Sequence, residues 1–198
     1  MIIVGLTGGI ASGKTTVCNF LKNRKFLVHD SDVVVKKMYS TPNKNFLNYI
    51  KKIGLKKSIK GKKINKPKIR ESIFKNKKQR KLLEKYIHKE VKESRDRFLK
   101  NKKKSKIVFL DIPLLFEKKL EKICDIIILV YCPAKIRIRR AMQRRGMTKK
   151  VLLSIVNSQI NDKIKKKKSD FIINTNCSKS KSFKRTKNII EFILSNYA

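Results

Sequence analysis

Residues 4–17 read Val4-Gly5-Leu6-Thr7-Gly8-Gly9-Ile10-Ala11-Ser12-Gly13-Lys14-Thr15-Thr16-Val17, and this stretch decides the fold. Gly8 to Thr15 fits G-x-x-x-x-G-K-[ST] without a mismatch. Four of the seven glycines, Gly5, Gly8, Gly9 and Gly13, fall within nine residues. A loop whose backbone N–H groups turn inward around a phosphate needs dihedrals and close approaches that glycine allows cheaply. Lys14 adds a point charge for the β- and γ-phosphates, and the Thr15 hydroxyl is an oxygen ligand for Mg²⁺. The helix that begins there aims its positive end at the same phosphates. A glycine-rich turn ending in Lys-Thr by chance is expected about once in a hundred chains of this length or less often. The flanks support the phosphate reading: residues 2–7 form a short apolar β-type run, and Thr15 to Leu21 is amphipathic. No G-x-G-x-x-G occurs, so the dinucleotide fingerprint is excluded.

Further along the chain, residues 26–29 read as a second strand ending at Asp30-Ser31-Asp32, with a helix from Val33 to Tyr39. Residues 40–105 are lysine-rich and broken by Pro42, Gly54, Gly61 and Pro67. Phe46-Leu47-Ile50-Ile53, Ile69-Ile73-Phe74 and Leu82-Leu83-Tyr86-Ile87-Val91 fall near helical spacing there, which predicts a helical insertion. Residues 107–112 and 126–131 are apolar throughout, as central parallel strands covered on both faces are. Helices are expected at 134–145, 148–161 and 182–196, and a last strand at 171–174. Strands alternating with helices predict an α/β fold on a five-stranded parallel sheet, with ligands at the carboxyl ends of the strands. The expected divisions are core 1–39, helical insertion 40–105, core 106–136, lid 137–163 and core 164–198.

The chain has 198 residues, a length for one domain with insertions. No apolar run approaches the ~18 residues of a membrane span, and the first residues carry no basic leader, so a cytoplasmic protein is expected. Cys18, Cys124, Cys132 and Cys177 form no CxxC pair and read as reduced thiols. Lys+Arg outnumber Asp+Glu by 53 to 14, a formal charge of +39. That excess first suggests nucleic acid. However, the lysines recur as short runs (Lys62-Lys63, Lys77-Lys78, Lys102 to Lys104, Lys165 to Lys168) rather than as one tail or face. Lys, Asn and Ile share A/T-rich codons, and a biased genome would load permissive surface positions with them. The expectation is therefore no specific nucleic-acid partner.

Among phosphate-loop proteins, GTPases carry N-K-x-D and D-x-x-G, and neither occurs here. Motor and helicase cores need more chain. A small kinase remains, and it requires a group to activate the acceptor, cations around the transferring phosphoryl and a cover against water. Asp30 and Asp32 follow the second strand; either could accept a proton from a hydroxyl, and Asp32 could instead cap the following helix. Asp111 ends an apolar strand, as a magnesium-shell carboxylate does, or is a strand-end turn residue. Arg137, Arg140 and Arg144 lie at i, i+3 and i+7 on one helix face, and the planar guanidinium fork suits phosphate. Gly146 and Thr148 then break to a second helix, giving a helix–turn–helix cover. His88, alone on the insertion, reads as a packed or exposed residue rather than a base.

With these residues assembled, the chain resembles the dephospho-coenzyme A kinase family nearly end to end. The Thr7-Gly8-Gly9-Ile10 lead-in, Asp30-Ser31-Asp32, and Arg70 with Phe74 match that family's motifs. So do Leu83-Glu84 with His88, Asp111-Ile112-Pro113-Leu114-Leu115-Phe116-Glu117, Arg140, Arg144, Gln159 and Ser169-Asp170-Phe171-Ile172-Ile173. The chain departs from the pattern at Lys66, at Lys89, at Asp162 (where a basic residue is common) and at Asn174-Thr175. The resemblance implies phosphorylation of the ribose 3′-hydroxyl of dephospho-CoA by ATP with Mg²⁺, in a monomer or weak oligomer without membrane contact. It implies Asp32, Lys14 and Arg140 as catalytic residues. Gly9, Ile10, Ala11, Ser12, Gly13, Lys14, Thr15, Thr16 and Arg144 would bind ATP. Asp30, Arg70, His88, Pro113, Leu114 and Leu115 would bind the acceptor, and Thr15 and Asp111 the metal. The rival readings are another small-molecule or nucleotide kinase, which the Pro113-Leu114-Leu115 run disfavours, and a nucleic-acid-binding ATPase.

Overall fold

The computed structural model describes residues 1–197. The chain divides into two compact units, residues 1–29 with 102–198 and residues 30–101.

The first unit opens with β1 (Ile2–Thr7), α1 (Lys14–Asn23) and β2 (Val28–Asp30), whose last residue begins the second unit. The second unit contains α2 (Ser31–Ser40), α3 (Lys44–Lys52), β3 (Ile59–Lys60), β4 (Lys63–Ile64), α4 (Lys66–Lys75) and α5 (Lys77–Asn101). The chain returns to the first unit with β5 (Ile107–Asp111), β6 (Ile126–Tyr131), α6 (Ala134–Met142), α7 (Lys149–Asn157), α8 (Asp162–Lys167), β7 (Phe171–Asn174) and α9 (Lys179–Tyr197). The five-stranded sheet has the order β2-β5-β1-β6-β7. β1 lies at its centre, parallel to β5 and β6, with Leu6 opposite Asp111 on one side and Ile128 on the other.

The apolar runs account for this arrangement. Every residue of β5 is buried, and Val4, Leu6, Phe109, Val130 and Ile173 are inaccessible. Each such side chain is worth about 1.5–3 kcal/mol of burial. α1 turns Val17, Cys18 and Leu21 inward, and its Phe20 ring stacks on Phe183 of α9 at 4.4 Å. Gly5 permits close packing, since a Cβ there would lie 2.7 Å from Leu115 Cδ1 and from Cys124 Sγ.

The second unit has its own core of Phe46, Ile50, Leu55, Ile69 and Leu83. Tyr86 stacks on Tyr49 at 4.3 Å and on Phe46 at 5.5 Å. It is not wholly helical: residues 59–64 form a hairpin whose turn is set by Gly61 at φ 58°. No helix among the described residues is long and apolar enough to cross a membrane.

Several boundaries differ from the periodicity, among them the start of α2 at Ser31 rather than Val33. The second strand starts two residues later and ends one later, at Val28–Asp30. The helix expected at 134–145 stops at Met142. The helix expected over 148–161 ends at Asn157, the Ile160 N–H is taken by Glu117 Oε1 at 2.9 Å, and a separate helix, α8, starts at Asp162 capped by Asn161.

Candidate active site

The phosphate loop follows β1. Ala11 at φ 57° and Gly13 at φ 90° give it two left-handed turns, and Ser12 N–H donates to Gly9 carbonyl at 3.1 Å. Gly8 is required sterically: a Cβ there would lie 2.5 Å from Val130 carbonyl oxygen and 2.6 Å from Ser12 Oγ. Gly13 is the N-cap of α1, so the positive end of that helix adjoins the loop. Ser12 Oγ is buried and, among the described residues, has no hydrogen-bond partner. A buried hydroxyl left without a partner in a loop of inward-turned amides suits an anionic ligand.

Lys14, 11% exposed, forms an ion pair with Asp111, the last residue of β5 and 5% exposed. The pairing follows from strand register, because Asp111 lies opposite Leu6, two residues before the loop. Thr15 is exposed and Thr16 half-buried, with Thr16 N–H on Gly13 carbonyl at 3.0 Å.

Three later segments brace the loop. Thr175, after β7, donates its hydroxyl to Ser12 carbonyl at 2.6 Å, and Arg140 grips Thr175 through Nη2 to the carbonyl (3.0 Å) and Nη1 to Oγ1 (3.3 Å). Gln159 Oε1 accepts Ile10 N–H at 3.1 Å. Glu117 Oε1 lies 2.8 Å from Nζ of Lys165, whose side chain is wholly buried. These side chains fasten the α6–α8 segment to the loop and to the residues after β5.

The sequence-derived candidates fall as follows. Lys14 and Asp111 come together; Arg140 reaches the loop through Thr175, and Arg144 is exposed beyond the end of α6. Pro113 and Leu114 are half-buried, and Pro113 carbonyl accepts the Thr7 hydroxyl at 3.2 Å. Leu115 is wholly buried against Gly5, so it packs beneath β1 and presents no surface to a ligand. In the second unit, Asp30 is the helix cap: its carboxylate accepts Val33 N–H at 3.0 Å. Asp32 is exposed in the first turn of α2, and Arg70 and His88 are exposed on α4 and α5. Glu117, Lys165, Thr175 and the pairing of Arg137 with Asp162 escaped sequence reasoning as loop braces. Asp162 and Thr175 were visible only as departures from the family pattern.

A strand, this loop and a helix at the centre of a parallel β2-β5-β1-β6-β7 sheet define a P-loop kinase. The family model for dephospho-CoA kinase matches residues 2–181, and the chain belongs to that family. It is 34% identical to a Listeria monocytogenes dephospho-CoA kinase over 197 residues, covering 98% of each chain. Among solved structures, TT1252 from Thermus thermophilus matches with a TM-score of 0.78 at 27% identity, over 100% of this chain and 98% of that one. A dephospho-CoA kinase from Campylobacter jejuni matches with a TM-score of 0.71 at 25% identity, over 99% of this chain and 98% of that one.

Proposed function

We propose that the protein transfers the γ-phosphoryl group of ATP to the ribose 3′-hydroxyl of dephospho-CoA, giving ADP and CoA in the cytoplasm. The observation that carries this reading is a complete phosphate loop, with Lys14 held on Asp111, in a chain of the dephospho-CoA kinase family. The loop amides and Lys14 bind the β- and γ-phosphates; Gly9 to Thr16 form the cradle, and the exposed Arg144 adds a cation. The acceptor oxygen bonds to the γ-phosphorus as the bond to ADP breaks, and the hydroxyl proton passes to the Asp32 carboxylate. Lys14 and Arg140 stabilise the charge spread over the transferring oxygens. Asp30, Arg70, His88, Pro113 and Leu114 serve the acceptor, with residues 40–105 as the acceptor-binding insertion and 137–163 as the lid. Leu115 supports this site from below.

Mg²⁺ takes hard oxygen ligands. The exposed Thr15 hydroxyl at the helix start and the fixed Asp111 carboxylate are both such donors and suit it. When bound, the ion supplies charge neutralisation at the phosphates. A monomer or weak oligomer suffices, since no role in this scheme falls to a second copy.

A coupled ADP-release assay offering dephospho-CoA, adenosine, AMP and RNA in parallel tests the reading. Turnover with dephospho-CoA alone is expected. Preference for AMP or adenosine would reassign the acceptor, and RNA-stimulated hydrolysis would replace the kinase reading.

A further inference from the structure

Gly9 is covered from outside the loop. A Cβ on Gly9 would lie 2.0 Å from Arg137 Nη1 and 3.1 Å from its Cζ, so the guanidinium of α6 rests directly on the Gly9 backbone. Its other nitrogen, Nη2, donates to Asp162 Oδ2 at 2.5 Å, at the start of α8. The Arg137 side chain is 11% exposed, and its buried Nε has no hydrogen-bond partner among the described residues. Three residues before Asp162, Gln159 holds the next loop residue through Ile10 N–H. Residues 159–162 thus fix two successive loop residues, one directly and one through Arg137.

We propose that Arg137, held by Asp162, is a positioning residue for ATP: the pair clasps Gly9 and keeps the loop in its phosphate-receiving shape before nucleotide arrives. The proposal rests on the reading of this loop as the ATP site. Gly8-Gly9 is the segment with most backbone freedom to lose on binding a phosphate. Fixing it in advance lowers the ordering cost charged against affinity. Asp162 is needed because a charge-assisted hydrogen bond orients the guanidinium, which would otherwise swing towards solvent.

The test uses the full chain and binding of ADP and of a non-hydrolysable ATP analogue by calorimetry, without acceptor. Asp162→Asn, nearly isosteric, and Arg137→Met are each expected to weaken nucleotide binding about tenfold, the loss of one charge-assisted hydrogen bond. The double variant should be no weaker than the worse single, because both remove one device. Arg137→Lys, which keeps the charge but not the fork, should fall between. In turnover, KM for ATP should rise while kcat and KM for dephospho-CoA stay near wild type, a split that general loss of structure would not give. Should Arg137→Met fail to fold, Asp162→Asn carries the same test. Wild-type nucleotide affinity in Asp162→Asn, or losses that multiply in the double variant, would overturn the clasp alone. Failure of the unmutated protein to bind either nucleotide would instead remove the ATP-site reading, and the clasp with it.

Discussion

Asp30 and Asp32 are two residues apart yet stand in different positions, one capping α2 and the other in its first turn. The Asp30 carboxylate is engaged with Val33 N–H, and an N-cap of this kind is worth about 0.5–2 kcal/mol against alanine. Asparagine caps equally well, so Asp30→Asn should leave thermal stability almost unchanged and cost kcat little. Asp32 is exposed in the first turn of α2, the right condition for a group that must meet an incoming hydroxyl. Asp32→Asn keeps the shape and removes the proton acceptor. It should lower kcat roughly 10²-fold or more, with ATP affinity little changed. Steady-state kinetics with dephospho-CoA on both variants, with nucleotide titration, checks this; a larger kcat loss in Asp30→Asn would reverse the assignment. Spacing offered Asp32 as the possible cap, and the structure gives that role to Asp30. Spacing could not show this, because an Asx cap is decided by where the helix begins, and the helix begins at Ser31 rather than Val33.

At the scale of elements, the phosphate loop and the apolar strands were legible because their signals are local. The joint between α7 and α8 was not, because it is made by partners far along the chain. Glu117 accepts Ile160 N–H and pairs with Lys165 at 2.8 Å, 43 and 48 residues away in sequence. Lys165 belongs to a four-lysine run that reads as a solvated surface, yet its side chain is wholly buried. Removing one partner of such a pair strands the other charge, so Lys165→Met should cost about 3–5 kcal/mol in urea denaturation. Adding Glu117→Gln, which keeps an acceptor for Ile160 N–H, should recover part of that loss. In the second unit, burial and then the neighbouring Glu90 carboxylate push the Tyr86 hydroxyl up to about 12. A phenol whose folded value is raised favours the fold while neutral. Its contribution is full below about pH 10 and is lost as pH rises towards 12. An alkaline titration followed by tyrosinate absorbance should contain a component near pH 12 that Tyr86→Phe removes.

At the scale of the whole molecule, the question is what a formal charge of +39 does. The lysine runs lie on unrelated elements: Lys62-Lys63 at the hairpin, Lys77-Lys78 at the start of α5, Lys102 to Lys104 after its end, and Lys165 to Lys168 on and after α8. Even these runs are not uniformly surface, since Lys165 neutralises Glu117 inside the protein. Lys75 is spent locally on Glu71 at 2.8 Å, as an i,i+4 pair that matters little to stability. A recognition surface would instead gather cations on one face with side chains that read bases or stack on them. Dispersed charge still attracts any polyanion through release of its counterions, and that attraction carries no sequence information. Duplex DNA should therefore bind weakly, with Kd on the order of 10⁻⁴–10⁻⁶ M at physiological salt. The plot of log K against log salt should fall steeply, with the same slope for every sequence, and bound DNA should not raise ATP hydrolysis. Fluorescence anisotropy on two unrelated duplexes over a salt series measures both slope and selectivity. Nanomolar binding to one of them near physiological salt would make the charge a recognition surface after all.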